Sequence, residues 1–289
     1  MNQAHSCSLD ELTDDVDAYK LAFSHLTRLA ATDSAIAAYV QREQQDIDQR
    51  LAIAQEGAAE KAARQDRTRA EIQAQFSVDQ VLAAAKRREG SKGIYVRFGR
   101  WCSDESLAIV LEQLTIEVDI EACLRLLWVF RRAALPTVPE RLWVLATDDD
   151  ARIRDAALTA LAQADDPVVG EFGRTYLAKR TFVVDDAAAI ELFSKHYKAG
   201  DERLIMDALN SLSPDEAEAH DVGMSIRAFA KHNKSTSVAG ILDWLYRTNP
   251  CTICRADAVR ILLEMNSLSA AAALECRFDA SSETQALVE

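Results

Sequence analysis

Two short patterns in this chain carry side chains that could do chemistry. The first is Cys251-Thr252-Ile253-Cys254, which follows Asn249-Pro250. An asparagine and a proline at these positions predict an N-cap and a first helical residue, so we expect both thiols in the first turn of a helix. The positive end of a helix dipole favours the thiolate, which is the form that binds zinc or exchanges disulfides.

The thiol pair leaves three interpretations open. A structural zinc site needs four ligands, and Cys276 and His232 could complete the set only if the fold brings them to Cys251 and Cys254. A single CxxC without a second pair also occurs in redox proteins. Two ordinary buried cysteines are the simplest interpretation. We therefore predict no cofactor, with zinc as the alternative.

The second pattern is a basic and aromatic stretch at residues 86–101, in a chain whose net charge is −13. The stretch contains six Lys or Arg residues and a single acidic residue, Glu89, and three aromatic residues alternate with the cations. The candidate partner-binding residues are Lys86, Arg87, Arg88, Lys92, Tyr95, Arg97, Phe98, Arg100 and Trp101.

This basic stretch also has more than one interpretation. Cations and aromatic faces together could hold a nucleic-acid strand through phosphate contacts and base stacking, or could bind an acidic protein. The simplest interpretation is a junction loop at residues 90–102, whose rings pack under the next helices while its charges face acidic neighbours. The net acidity of the rest of the chain argues against a nucleic-acid partner.

Sequence signatures of catalysis are missing. The five histidines form no HExxH motif or His-Glu dyad, and no glycine-rich phosphate loop or GxSxG nucleophile elbow is present. The sequence therefore gives no positive indication of an enzyme, although it leaves the question open.

The elements that must position these residues are predicted to be helices. Nine glycines and five prolines in 289 residues are few, and 49% hydrophobic residues suffice for a sizeable core. No segment approaches the roughly 20 apolar residues of a membrane-spanning helix, and six cysteines are too few for a secreted disulfide scaffold. We expect an all-α cytoplasmic protein without membrane contact.

The N-terminal region, residues 1–89, is predicted to contain long helices. A helical pattern runs from Asp33 to about Phe76, which would extend about 65 Å as one helix. Its weak heptad stripe favours a hairpin, with a coiled-coil homodimer arm or a broken helix as alternatives. Ser77 and Gln80 form a capping box that predicts the start of a shorter helix.

Residues 103–289 are predicted to form an array of helix pairs. Helix-length segments with one apolar face alternate there with Asp, Ser, Thr, Pro or Gly, and corresponding starts at Asp119 and Asp149 lie 30 residues apart. A two-helix unit of this length cannot bury its apolar face alone. We therefore expect such units to stack on one another.

Local signals in the array predict individual helix starts. Pro167 is expected to open one helix, and Asp185 or Asp186 another. Thr137 and Glu140 have the spacing of a capping box. This spacing predicts the start of a helix that carries Leu142, Val144 and Leu145.

The stretch from Asp150 to Val169 resembles a HEAT-like repeat of the phycobilisome-lyase type. That pattern reads Asp-x-x-Val-Arg-x-Ala-Ala-x-x-Ala-Leu followed by Asp-Pro, and Ile153 and Arg154 take its valine and arginine positions. The likeness is close over this stretch and general over residues 103–289. It implies an α-solenoid of stacked antiparallel helix pairs, preceded here by the long-helix hairpin.

The resemblance also implies roles. The repeat arginine, here Arg154, is expected to bond to carboxylates or helix ends of the neighbouring unit, because a planar guanidinium suits bidentate partners. Similar arrays mostly act as adaptors, and a minority are enzymes. We predict a non-catalytic scaffold for an unidentified protein partner. The alternatives are a chromophore lyase, a DNA glycosylase, or a nucleic-acid-binding module that uses residues 86–101.

Overall fold

The chain divides into two compact units, Met1–Glu71 and Ile72–Glu289. The computed structural model describes most of the second unit but only scattered positions of the first. The predicted choice between a hairpin, a broken helix and a homodimer arm therefore lies outside the described residues. The described residues are 76–288 except 180, 214 and 216–218, together with isolated positions between 33 and 70.

The described part of the second unit is built from helices, and no strand occurs among its residues. The α-helices are α1 Val78–Lys86, α2 Lys92–Trp101, α3 Asp104–Ile116, α4 Ile120–Val129, α5 Glu140–Leu145, α6 Ala151–Leu161, α7 Pro167–Lys179, α8 Asp201–Asn210, α9 His220–His232, α10 Ala239–Thr248, α11 Thr252–Glu264, α12 Ala270–Cys276 and α13 Ser282–Ala286. Two 3₁₀ segments are Val184–Phe193 and Thr236–Val238. The all-α prediction is confirmed for these residues.

Several helices begin at the capping residues that the sequence indicates. The Ser77–Gln80 capping box is present at the start of α1, with the Ser77 N–H donating to Gln80 Oε1 at 2.9 Å. At the start of α6, Asp150 Oδ1 accepts the backbone N–H of Arg152 at 2.9 Å. Helix α7 begins at Pro167 as predicted. Local chemistry therefore determines where these helices start.

The capping box predicted at Thr137 and Glu140 is wrong. Helix α5 begins at Glu140, and its N-cap residue is Pro139, which makes no side-chain capping bond. Val138 precedes that proline, and steric conflict with a following proline ring disfavours the α conformation. The helix therefore cannot extend back toward Thr137.

The segment Val184–Phe193 is a 3₁₀ helix rather than the α-helix predicted from Asp185 or Asp186. Asp186 does not cap it, because its carboxylate is buried and accepts the guanidinium N–H of Arg154 at 2.8 Å instead. Asp186 therefore takes part in a contact with a distant residue that the local sequence does not indicate.

The loop predicted at residues 90–102 is also wrong, because most of that stretch is helix α2. The interruption between helices α1 and α2 includes Gly90, whose backbone φ of +84° is a conformation that glycine adopts readily. Gly99 lies inside α2, where a Cβ atom would be 1.9 Å from the carbonyl oxygen of Val129. Glycine at position 99 therefore lets α2 pack directly against the end of α4.

Helices and 3₁₀ turns contact one another in a regular order. Elements α2, α4, α6, the 3₁₀ segment Val184–Phe193, α9, α11 and α13 each contact the next, and we call them the central row. Helices α3, α5, α7 and α10 pair with members of this row, while α8 contacts α7 and α10. One continuous apolar core runs between these layers and includes the fully buried rings of Phe130, Phe193 and Phe229.

Among the described residues, no helix combines the length and apolar character that crossing a bilayer would require.

Candidate functional site

Arg154 joins neighbouring parts of the fold. Its side chain is 5% exposed, and its Nε lies 2.8 Å from the Oδ1 atom of the fully buried Asp186. Its Nη1 donates to the Asp148 carbonyl oxygen at 2.8 Å, and the Tyr176 hydroxyl donates to the same Asp186 oxygen at 2.8 Å. Both charges of the pair are therefore satisfied inside the protein, which is the structural role that the sequence predicts for Arg154.

Four similar pairs occur among the residues that the structure describes. In each of the five, an arginine binds an aspartate that follows it by 24 to 32 residues. That spacing is close to the two-helix period that the sequence predicts. We call the five pairs the Arg–Asp links: Arg88–Asp119, Arg154–Asp186, Arg174–Asp201, Arg227–Asp257 and Arg255–Asp279.

A second group of charges belongs to the central row and is arranged differently. Two cations and four carboxylates influence one another there, yet within the described part of the chain none of the six has an ion-pair partner closer than 4.0 Å. We call this group the central cluster: Lys92, Arg131, Asp155, Asp185, Glu191 and Asp221.

Burial dominates the electrostatics of the central cluster. It raises the pKa of Asp155, and attraction to Arg131 and Lys92 offsets only part of this effect. Burial also raises the pKa of Glu191, although Ser225 Oγ donates to its Oε1 atom at 3.1 Å. Partial desolvation lowers the pKa of Lys92, and repulsion from Arg131 adds to it. Burial therefore disfavours the charged forms of Asp155, Glu191 and Lys92 where they lie.

The cluster brings together groups from elements that are distant in sequence. Lys92 is at the start of α2 and Asp221 is in the first turn of α9, yet the charge of Asp221 acts on both Lys92 and Asp155. Lys92 and Asp221 are exposed, whereas Asp155 is partly buried. The central cluster therefore combines solvent-exposed charges with partly buried ones.

Sequence reasoning did not find this cluster. Asp155 occupies a position that the repeat pattern leaves unspecified, directly after Arg154. Glu191 did offer a signal, because it is the one charged residue in the run from Ala187 to Phe193. An isolated carboxylate in an otherwise apolar segment indicates a buried polar role.

The fold buries two of the aromatic residues in the basic stretch at residues 86–101 and leaves its cations exposed. Tyr95 and Phe98 are 1% and 2% exposed and belong to the core, so they do not present ring faces to a partner. The Tyr95 hydroxyl donates to the Glu89 carbonyl oxygen at 2.6 Å. Packing of these two rings matches the simplest interpretation, although the segment is helical.

The cations of this stretch have different surroundings. Arg88 belongs to an Arg–Asp link and Lys92 to the central cluster. Arg87 pairs with Glu89 at 2.9 Å, and the Arg100 guanidinium lies 4.8 Å from the ring centroid of Trp101. Lys86 and Arg97 are exposed as well. Their role in binding a partner stays a prediction.

The thiol pair has a histidine neighbour that the sequence did not indicate. The predicted helix start at Asn249 and Pro250 is wrong, because α11 begins at Thr252. Cys251 is its N-cap residue and Cys254 is in its first turn, while His220 is the first residue of α9. Cys254 Sγ lies 3.6 Å from His220 Nδ1, and the nearest donor atoms of all three residues lie within 4.8 Å of one another.

The other predicted ligands lie elsewhere. His232 is at the opposite end of the 13-residue helix α9, about 18 Å along its axis from His220. Cys276 ends α12, where its thiol interacts with the Tyr246 hydroxyl. Burial raises the pKa of Cys254 to about 11, whereas hydrogen bonds from Cys254 overcome the opposing effect of burial and lower the pKa of Cys251.

The sequence matches no protein-family model, and no curated protein or solved structure matches it. The geometry of the described residues is therefore the basis for inferring what the protein does.

Proposed function

We propose that this protein is a non-catalytic, HEAT-like solenoid that binds a protein partner through the central cluster. Three observations support the solenoid: the resemblance of Asp150–Val169 to a repeat, the sequential contacts along the central row, and the recurring spacing of the Arg–Asp links. Stacked helix pairs of this kind form extended binding surfaces.

The observation that carries the binding proposal is that the charges of the central cluster have no ion-pair partner within 4.0 Å among the described residues. Asp155 and Glu191 are largely surrounded by protein, and their ionised forms are disfavoured as they stand. Perturbed ionisable groups that converge on a solvent-open surface are characteristic of binding sites. A ligand that donates hydrogen bonds to both carboxylates would stabilise their ionised forms.

The signs of the charges indicate the chemistry of the partner. Four carboxylates outnumber two cations, so the cluster favours a positively charged group. An arginine or lysine side chain of a polypeptide can donate several charge-assisted hydrogen bonds to Asp155 and Glu191. Lys92 and Arg131 can then bind the carbonyl oxygens of the same segment. We therefore propose that a partner inserts a basic side chain into the central cluster.

The test is direct binding by the full chain. Short labelled peptides that differ only in a central Arg, Lys, Glu or Ala are titrated with the wild type and with the Asp155→Asn/Glu191→Gln variant. The wild type is expected to prefer the basic peptides. The variant is expected to lose about tenfold or more in affinity for them, because charge-assisted hydrogen bonds are lost.

A matched control is provided by Glu112→Gln with Asp207→Asn. This variant removes the same charge from exposed positions in α3 and α8, outside the central row. It should bind the basic peptides as the wild type does. Equal losses in both variants, or a preference for the Glu peptide, would contradict the proposal.

A further inference from the structure

Helices α9 and α11 bring three potential metal ligands together at the N-terminal end of α9. His220 comes from the first turn of α9, and Cys251 and Cys254 come from the start of α11. These are the only three residues of the described chain whose His, Cys or carboxylate groups converge in this manner. Chain separation between His220 and Cys254 is 34 residues, so the fold rather than the local sequence creates the group.

The backbone around the three side chains holds them in place. Asn249 is 1% exposed, and its side chain bridges the two ligand-bearing segments. Its Nδ2 donates to the carbonyl oxygen of Ala219, next to His220, at 3.0 Å. Its Oδ1 accepts the backbone N–H of Cys251 at 3.0 Å. One buried amide therefore fixes the position of both segments relative to each other.

Close helix packing adds to this constraint. A Cβ atom on Gly223 of α9 would lie 2.9 Å from Cys254 Sγ and 3.1 Å from Asn249 Nδ2. Glycine therefore allows α9 to approach the thiol closely. His220 and Cys251 remain accessible to solvent, whereas Cys254 is buried. An ion could reach the three donors from the exposed side without any opening of the core.

The donor set fits zinc better than other common divalent ions. Thiolate sulfur and imidazole nitrogen are preferred zinc ligands, whereas calcium and magnesium prefer oxygen. In a tetrahedral zinc site, the sulfur and nitrogen ligand atoms lie about 3.5–3.8 Å apart. The separation of 3.6 Å between Cys254 Sγ and His220 Nδ1 matches this geometry.

We propose that His220, Cys251 and Cys254 form a zinc site that clamps α9 to α11, with a water molecule as the fourth ligand. Metal binding displaces the thiol protons, and the two thiolates and the neutral imidazole supply the three protein ligands. The site shares no residue with the central cluster, although His220 directly precedes Asp221, and the two proposals are tested with different variants and different ligands.

The test is metal binding by the full chain. Protein stripped of metal under reducing conditions is titrated with Zn²⁺ in competition with a chromophoric chelator. We expect about one zinc per chain. Titration with Co²⁺ should give thiolate-to-cobalt charge-transfer absorption. Failure of the reduced wild type to compete with the chelator would overturn the proposal.

Matched variants identify the ligands. Cys254→Ser and His220→Asn should each weaken zinc binding by more than about tenfold, since each removes a donor. Cys276→Ser and His232→Asn remove the same side-chain types elsewhere and should bind as the wild type does. Circular dichroism checks that each variant is folded, and exposed His220 is the substitution least able to disturb the core. Unchanged zinc affinity in folded His220→Asn would overturn the proposal.

Discussion

The Arg–Asp links and the central cluster use the same kinds of side chain in opposite arrangements. In the link between Arg154 and Asp186, both charges are buried and directly bonded. In the central cluster, Asp155 immediately follows Arg154 in sequence, yet it has no ion-pair partner among the described residues. The neighbouring residues Arg154 and Asp155 of helix α6 therefore differ in role. Arg154 is paired within the fold, whereas Asp155 belongs to the central cluster.

The difference teaches how to separate structural from functional charges in a helical array. A charge whose hydrogen bonds are complete within the fold contributes to stability and leaves nothing for a ligand. A partly buried charge without such bonds lowers stability unless a ligand supplies them. Substitutions in the two groups should therefore change stability in opposite directions.

The largest effect is expected for Arg154→Ala. It leaves the Asp186 carboxylate buried without its cation, and breaking a buried pair in this manner typically costs about 3–5 kcal/mol. Denaturant unfolding of the full chain measures this loss. A loss below about 1 kcal/mol would contradict the distinction between the two groups of charges, because the Arg154–Asp186 link would then not stabilise the fold.

A smaller loss in the free energy of unfolding is expected for Gly99→Ala, which tests the close packing of α2 against α4. The added Cβ would overlap the Val129 carbonyl oxygen, and overpacking of this kind costs about 1–3 kcal/mol. Because α2 carries Lys92, the variant should also weaken binding of basic peptides. Gly93→Ala is the control, since its Cβ would meet only the far end of the Ser91 side chain at 3.9 Å.

The central cluster should respond in the opposite direction. Asp155→Asn with Glu191→Gln removes two carboxylates whose pKa values burial raises, so the variant is expected to be more stable than the wild type at neutral pH. The gain should be smaller than either loss described above. Thermal unfolding at several pH values measures it, and a destabilised variant would contradict the distinction between the two groups.

The pH dependence of this gain has a defined sign. A carboxyl whose pKa is higher in the folded than in the unfolded chain binds more protons when folded, so wild-type stability falls as pH rises between the two pKa values. Asp155 is faced by Lys92, Arg131, Asp185 and Asp221, and the two cations oppose this trend only in part. The advantage of the variant should therefore grow with rising pH and vanish in acid.

The smallest effect is expected for Arg152→Ala. The Arg152 guanidinium is exposed and pairs with Asp150 and Glu121 at 2.8 Å, and exposed pairs contribute little to stability because water and salt screen them. Arg152 and Arg154 lie two residues apart in α6, so this variant is the matched control for Arg154→Ala. Similar losses in the two variants would remove the contrast between buried and exposed pairs.

Local signals in the sequence predicted a substantial part of the fold. The capping box at Ser77 and the helix starts at Asp150 and Pro167 follow from residues close to one another in the chain. These features depend on backbone hydrogen bonds and helix periodicity, which a short stretch of sequence is sufficient to specify.

Features that depend on distant contacts were not predictable in the same manner. Asp186 binds Arg154, which lies 32 residues earlier in the chain, and the neighbour of Cys254 is His220 rather than His232. The stretch predicted as a loop at residues 90–102 is mostly helix α2, in which Gly99 allows close packing against Val129. A single sequence carries no local mark of which distant residues will meet.

The direction of the Arg–Asp links has a consequence for protein synthesis. In all five, the arginine comes earlier in the chain than its aspartate. A ribosome therefore makes each cation before the carboxylate that will neutralise it, and chains are made and begin to fold from the N-terminus. No link can close until its aspartate, 24 to 32 residues further along the chain, has also left the ribosome.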